Sequence, residues 1–294
     1  MADEYWRNGQ PQPPRHGPDC PECALALASI GVMEQEVAPP PRLREAVLSK
    51  ARRVRPPARP EVVEAAVPYA AQLALMDELL TELSDDEWSA PVVKHGTVRS
   101  MVEHLAANDR PVAALMGVPD GPWPRLWRGQ ATTLLERFSR NAGPLLEVEV
   151  DLAGRSPARG SLRAAMVQRA FETWTHADDI RTALARPLAA PDPDHVRRIA
   201  GFGIPKLPRA RQGPPRDVAV MISLLGPGGG TWTVSLSEVP GRRVPLALTL
   251  RADAVGFCRL MAGRVLPDDF PYEAEGRAAL AHEVVVAASR LGCD

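Results

Sequence analysis

The sequence predicts an α+β multidomain protein, with a four-helix bundle followed by a small α+β domain and a short segment in front of both. Three observations carry that expectation. Apolar residues recur at helical spacing through four stretches between Glu61 and Pro187, and β-rich runs broken by Gly and Pro follow. The third is "VRPPARP", whose prolines at 56, 57 and 60 lock φ and remove donors, so residues 56–60 read as an extended linker.

With 294 residues, 45% of them apolar, the chain can bury more than one core. A formal charge of −1 supplies no basic field to hold a phosphate backbone, so nucleic acid is not an expected partner. No apolar run approaches the roughly 20 residues that span a bilayer. Residues 1–14 are polar and Pro-rich, unlike a leader, so no membrane partner and a cytoplasmic location are expected. Lys50, Lys94 and Lys206 are the only lysines, and this Arg-, Ala- and Pro-rich composition fits a GC-rich coding sequence better than a function. Four cysteines are too few for a disulfide scaffold; Cys258 and Cys293 read as ordinary thiols.

The elements follow in order. Residues 1–55 hold a C-P-E-C pair, the apolar stretch "CALALASIGVM" and then "PPPRLREAVLSKARR", read as a short helix with Leu43, Val47 and Leu48 on one face. Residues 61–187 carry four helical patterns: 61–83, 97–116, 126–141 and 161–184. Thr97 and Ser161 are good N-caps, and Pro111 should kink or end the second helix. Four such helices on short or moderate loops make a bundle. In residues 188–294, "DVAVMISLL", "GTWTVSLSEV" and "PLALTLRA" read as strands around the turn "GPGGG", and helical patterns at 252–261 and 276–291 close the chain.

The chemistry is expected on the second and fourth helices. Glu172 and His176 stand four residues apart, hence on one helix face, beside an apolar side set by Phe171, Trp174 and Ile180. His104 lies on the second helix, and facing helices in a bundle are about 8–10 Å apart. Two histidines and a carboxylate that leave a position open are the ligands of a catalytic zinc site, although spacing alone fits equally a solvated Glu/His pair or core histidines.

The loop "WSAP", then "HGTVRSMVEHLAAND" and later "AFETWTHADDIRTAL" resemble the mycothiol-dependent maleylpyruvate isomerase family from about residue 61 to the C-terminus. The resemblance implies a DinB-like metal-binding bundle, with zinc or another divalent metal held by His104, Glu172 and His176. It also implies a sterol-carrier-like C-terminal domain, ending in the "RLMAGR…EGRAALAHEVV" type of helix pair. Its implied chemistry is that mycothiol, a small thiol, loses its proton on the metal and attacks a small electrophile. An isomerase then expels the thiol and a transferase keeps the adduct. Arg264 and Arg251 are candidates to steer an anionic substrate, or surface arginines paired with Asp268 or Glu275. Asp109, Asp178 and Asp179 either orient ligands or cap and solvate helices.

His16, Cys20 and Cys23 form an H-x-x-x-C-x-x-C element that suits a tetrahedral zinc better than a redox disulfide. With the helix after it, the stretch 16–55 resembles the zinc-binding anti-sigma domain, which implies a sigma factor as partner. It departs from that pattern upstream, where residues 1–15 offer neither Cys nor His as a fourth ligand. A zinc-binding anti-sigma or redox-sensing regulator with a non-catalytic bundle is therefore the alternative to an enzyme.

Overall fold

A computed structural model describes residues 62–118, 126–152, 158–239 and 241–292; before residue 62 it describes residues 6–7, 10–11, 19–21, 23–25, 28, 43, 46–47 and 50–51. The chain divides into two compact units, Met1–Pro56 and Pro57–Asp294. In the first, β1 (Trp6–Arg7) pairs antiparallel with β2 (Gln10–Pro11). Residues 43, 46–47 and 50–51 are helical, as expected, but Leu43 and Val47 are exposed and Leu48 lies outside the described residues. Cys20 and Cys23 are half-buried and not joined in a disulfide, and His16 lies outside the described residues.

The second unit opens with α1 (Val67–Thr81) and the short α2 (Asp85–Trp88), which Ser84 and Glu87 start with a reciprocal capping box. A hairpin of β3 (Pro91–Val92) and β4 (Gly96–Thr97) leads into α3 (Val98–Leu115). Thr97 caps that helix by accepting from the Ser100 N–H. Its buried residues, Val98, Met101, Val102, Leu105, Ala106, Asp109, Val112 and Ala113, recur at three- and four-residue steps and make one stripe, apolar except at Asp109. Pro111 does not end the helix. It lies on the exposed face while Val112 and Ala113 hold the last turn against the core.

Next come α4 (Leu126–Leu145), the hairpin β5 (Glu149–Leu152) with β6 (Ala158–Ser161), and α5 (Leu162–Ala183), capped by Ser161 through the Ala164 N–H. Helices α1, α3, α4 and α5 form a four-helix bundle: α5 packs on α1 and α3, and α4 packs on the same two. The chain continues with α6 (Pro193–Gly203) and the short α7 (Leu207–Ala210), neither of which the apolar pattern had suggested. Their signal was present in Val196, Ile199 and Ala200, a buried i, i+3, i+4 set behind a Pro at the helix start.

The three expected strands form, as β7 (Ala219–Leu225), β8 (Gly230–Ser235) and β9 (Leu246–Asp253). After α8 (Ala254–Met261), a fourth strand, β10 (Glu273–Gly276), extends the sheet before α9 (Ala278–Ala288). The sheet order is β10-β9-β7-β8, with β7 and β9 parallel and the outer pairs antiparallel. Among the described residues no helix is long and apolar enough to cross a membrane.

Two apolar cores result. One lies inside the bundle; the other joins the sheet to α6, α8 and α9. Helix α5 serves both. Ala165, Met166, Ala170, Ala177 and Ile180 enter the bundle core, while Phe171 and Trp174 enter the sheet core. This corrects the expectation that Phe171, Trp174 and Ile180 share one apolar side: α5 is buried almost all round, so its apolar residues are divided between two cores and buried polar side chains such as Arg169, Glu172 and His176 lie between them. Trp174 is 1% exposed and its indole N–H donates to Ala189 O at 2.7 Å.

Replacing Trp174 with Ala should cost about 3–5 kcal/mol in urea unfolding. Because α5 is common to both cores, circular dichroism and tryptophan fluorescence should still report one coincident transition. Two separated transitions in the wild type would contradict the shared-helix account.

Candidate metal centre

Three histidines meet where the β3–β4 turn, α3 and α5 come together. The ring centroids of His95 and His104 are 4.7 Å apart, those of His95 and His176 4.8 Å, and those of His104 and His176 5.2 Å. Each offers a ring nitrogen, and those atoms all lie within 4.8 Å of one another. Neutral imidazole nitrogens are common metal ligands, so three rings this close offer donors to one shared cation.

Local backbone places each ring. His95 sits in a turn where Lys94 has φ of 69° and Gly96 a φ of 81°. The left-handed conformation is ordinary for glycine but costs a residue with a Cβ roughly 1–2 kcal/mol, so Lys94 holds strain beside the site. His104 comes from the middle of α3 and is backed by the Asn108 side-chain amide, 2.9 Å from His104 Nε2. His176, from α5, is completely buried.

Glu172, one turn before His176, is 5% exposed. Its Oε2 is 3.4 Å from His176 Nε2, and among the described residues no donor forms a hydrogen bond to that oxygen. A buried carboxylate oxygen without a donor is expensive, and a cation among the imidazoles would remove the cost. Imidazole and carboxylate together suit zinc and neighbouring divalent ions, so the donor set fits a metal. The 4.8 Å spread exceeds the about 3.4 Å separation of ligand atoms on one tetrahedral zinc, so side chains would draw together by rotation on binding.

Charged partners brace the cluster from two sides. Within the bundle, Arg169 pairs with Asp109 at 3.0 Å and donates to Asn108 O at 2.7 Å, with both charged side chains nearly fully buried. Tyr69 donates to Asp109 at 2.7 Å. Burial pushes the Asp109 carboxyl up and Arg169 partly offsets this; burial and then Asp109 hold the Tyr69 phenol well above its usual value. On the other side, His176 Nδ1 lies 3.0 Å from Asp179 Oδ2, and Arg264 reaches the same carboxylate at 2.6 and 3.1 Å. Burial alone would raise Asp179, but its bonds with His176 and Arg264 hold it below the usual range.

Of the residues expected as metal ligands, His104 and His176 gather in one cluster, which His95 joins; Glu172 lies against His176 but is not among the three residues whose ligand atoms gather. His95 opens the stretch "HGTVRSMVEHL" and could have been noticed as a histidine beside a turn glycine and a helix cap. Arg264 is committed to Asp179 and to Ala262 O. Half-buried Arg251 pairs with exposed Glu275 across β9 and β10. Asp178 binds Arg259 through two donors at 2.9 and 3.1 Å and accepts from the Ala189 N–H. Cys258 is buried in the sheet core, where desolvation pushes its thiol far up, which keeps it unreactive.

No family model and no curated protein matches the sequence. Among solved structures, a crystal structure of the mycothiol-dependent maleylpyruvate isomerase is similar at 16% identity, over 71% of this chain and 92% of that one, with a TM-score of 0.46. A point mutant of the same protein is similar at 15% identity, with the same coverage and TM-score.

Two outcomes check the arrangement. His95→Ala should weaken zinc binding more than the roughly 10–100-fold lost when a merely supporting residue is removed. Unchanged affinity in a competition titration would exclude His95 from the ligand set. Arg169→Met leaves the Asp109 carboxyl buried without its counter-charge and should cost about 3–5 kcal/mol in chemical unfolding.

Proposed function

We propose that the chain is a zinc-dependent enzyme of the mycothiol-dependent maleylpyruvate isomerase type, using a small thiol to attack a small electrophile. The observation that carries the reading is the convergence of His95, His104 and His176 on one point, with the donor-less Glu172 carboxylate oxygen beside them. The sequence resemblance through "MVEHLAAND" and "AFETWTHADDI" supplies the reaction class.

His95, His104, Glu172 and His176 would hold the ion. A divalent ion there lowers the pKa of a bound thiol, so that it is present as thiolate at neutral pH. The chain's own residues have three tasks. Asp179 accepts a hydrogen bond from His176 Nδ1–H, which leaves the opposite nitrogen of the neutral ring available. Asn108 steadies the His104 ring through its contact with Nε2. The apolar residues of α5 on either side of His176 keep water from the inner wall and lower the local dielectric. In the reaction, the thiolate sulfur forms a bond to one carbon of an activated cis double bond, which becomes single and rotates. Expulsion of the thiolate restores a trans double bond, and retention with protonation at carbon gives a transferase product.

The test uses cobalt-substituted protein. Adding mycothiol should produce a sulfur-to-cobalt charge-transfer band and release close to one proton per chain, and maleylpyruvate should then isomerise only with metal and thiol present. His176→Ala should abolish all three signals. Full metal loading with no spectral response to mycothiol or other small thiols would reject thiol chemistry at this centre.

A further inference from the structure

The contact that joins the sheet domain to the histidine cluster is made by two consecutive aspartates of α5. Asp178 takes Arg259 and Asp179 takes Arg264, both arginines coming from α8 or its end. The two clamps look alike but differ in their other partners: Asp178 also takes the Ala189 N–H and Arg181, whereas Asp179 takes a histidine.

How Arg264 is aimed follows from the end of α8. The Gly263 N–H bonds Leu260 O at 2.8 Å and the Arg264 N–H bonds Arg259 O at 2.9 Å. With Gly263 at a φ of 70°, this is the Schellman ending, in which the left-handed residue reverses the chain. That reversal sends Arg264 back along the helix toward α5. Its Nε and Nη2 then meet both oxygens of Asp179 in a fork, while Nη1 is tied to Ala262 O.

A carboxylate can only accept, so the Asp179 bond places the imidazole proton on His176 Nδ1. Arg264 Nη2 lies 3.3 Å from the same nitrogen and can only donate, but it is already engaged with Asp179 at 2.6 Å. In the neutral ring, His176 Nε2 then carries the lone pair, on the side where Glu172 Oε2 lies 3.4 Å away.

We propose that Asp179 and Arg264 are a positioning pair that fixes the tautomer and aim of His176, so that the sheet domain sets how tightly the bundle holds its metal. The inference rests on the reading of the histidine cluster as a metal centre. Arg264 acts through Asp179 and touches neither substrate nor ion. The neighbouring Asp178–Arg259 clamp joins the same two elements without reaching His176 and serves as an internal control.

The experiment measures zinc affinity of the full chain by competition with a chromophoric chelator, alongside imidazole nitrogen NMR of the metal-free protein. Asp179→Asn should weaken binding by roughly 10–100-fold and convert His176 from the Nδ1–H form to a tautomer mixture. Arg264→Met should weaken binding in the same direction, and the double variant should be no worse than Asp179→Asn alone, because both act through one contact. Arg259→Met should lower the melting temperature but leave zinc affinity unchanged. Wild-type affinity in Asp179→Asn, while His176→Ala loses zinc, would overturn the positioning role and leave the metal centre standing. Equal loss in Arg259→Met and Arg264→Met would also overturn it, by tracing the effect to loosened domain packing. Retention of zinc by His176→Ala would instead reject the metal centre itself.

Discussion

Helix α5 has to satisfy two hydrophobic cores and a polar cluster with a single turn-by-turn sequence, and this demand organises the rest of the second unit. Bundle-facing Ala165, Met166, Ala170, Ala177 and Ile180 are mostly small, which lets α1 and α3 approach closely. Sheet-facing Phe171 and Trp174 are large and reach across to α6 and α8. The remaining sector carries Arg169, Glu172, His176 and Asp179, each of which needs a partner because the helix offers almost no route to water. The partners come from different elements: Asp109 from α3, the other two histidines from the β3–β4 turn and α3, and Arg264 from the end of α8.

Those polar contacts are costly to assemble. A buried ion pair such as Arg169–Asp109 returns little more than its desolvation cost, so it adds specificity of register more than stability. Here that specificity has a visible object. Arg169 also holds Asn108 O, and the Asn108 side chain stands against His104, so the pair ties the third turn of α3 to α5 at the height of the histidines.

Much of this was legible in the sequence, for identifiable reasons. Thr97 and Ser161 are caps whose hydroxyls have one good use, and both bond as expected. Glu172 and His176 share a face because helix geometry leaves no alternative, and β7, β8 and β9 form where β-branched residues and Gly turns alternate. What escaped was set by tertiary context. The two-sided burial of α5 cannot be seen in a window that assumes one apolar face. His95 belongs to no periodic element, and only a strained turn brings it to the site. Short β10, all of it exposed, has no pattern beyond its pairing with β9. Arg264 looked like a group for substrate because its partner, Asp179, is far away in sequence.

The strained Lys94 turn and the doubly packed α5 have a shared consequence for loading and unloading. Small zinc modules gather their ligands only when the ion arrives, so a chelator melts them. In this chain, two apolar cores and the β3–β4 hairpin lie under the backbone that carries all three imidazoles. An ion held there would need only ring rotation to enter or leave. Its occupancy would then follow its supply in the surrounding solution and would not be a condition for folding.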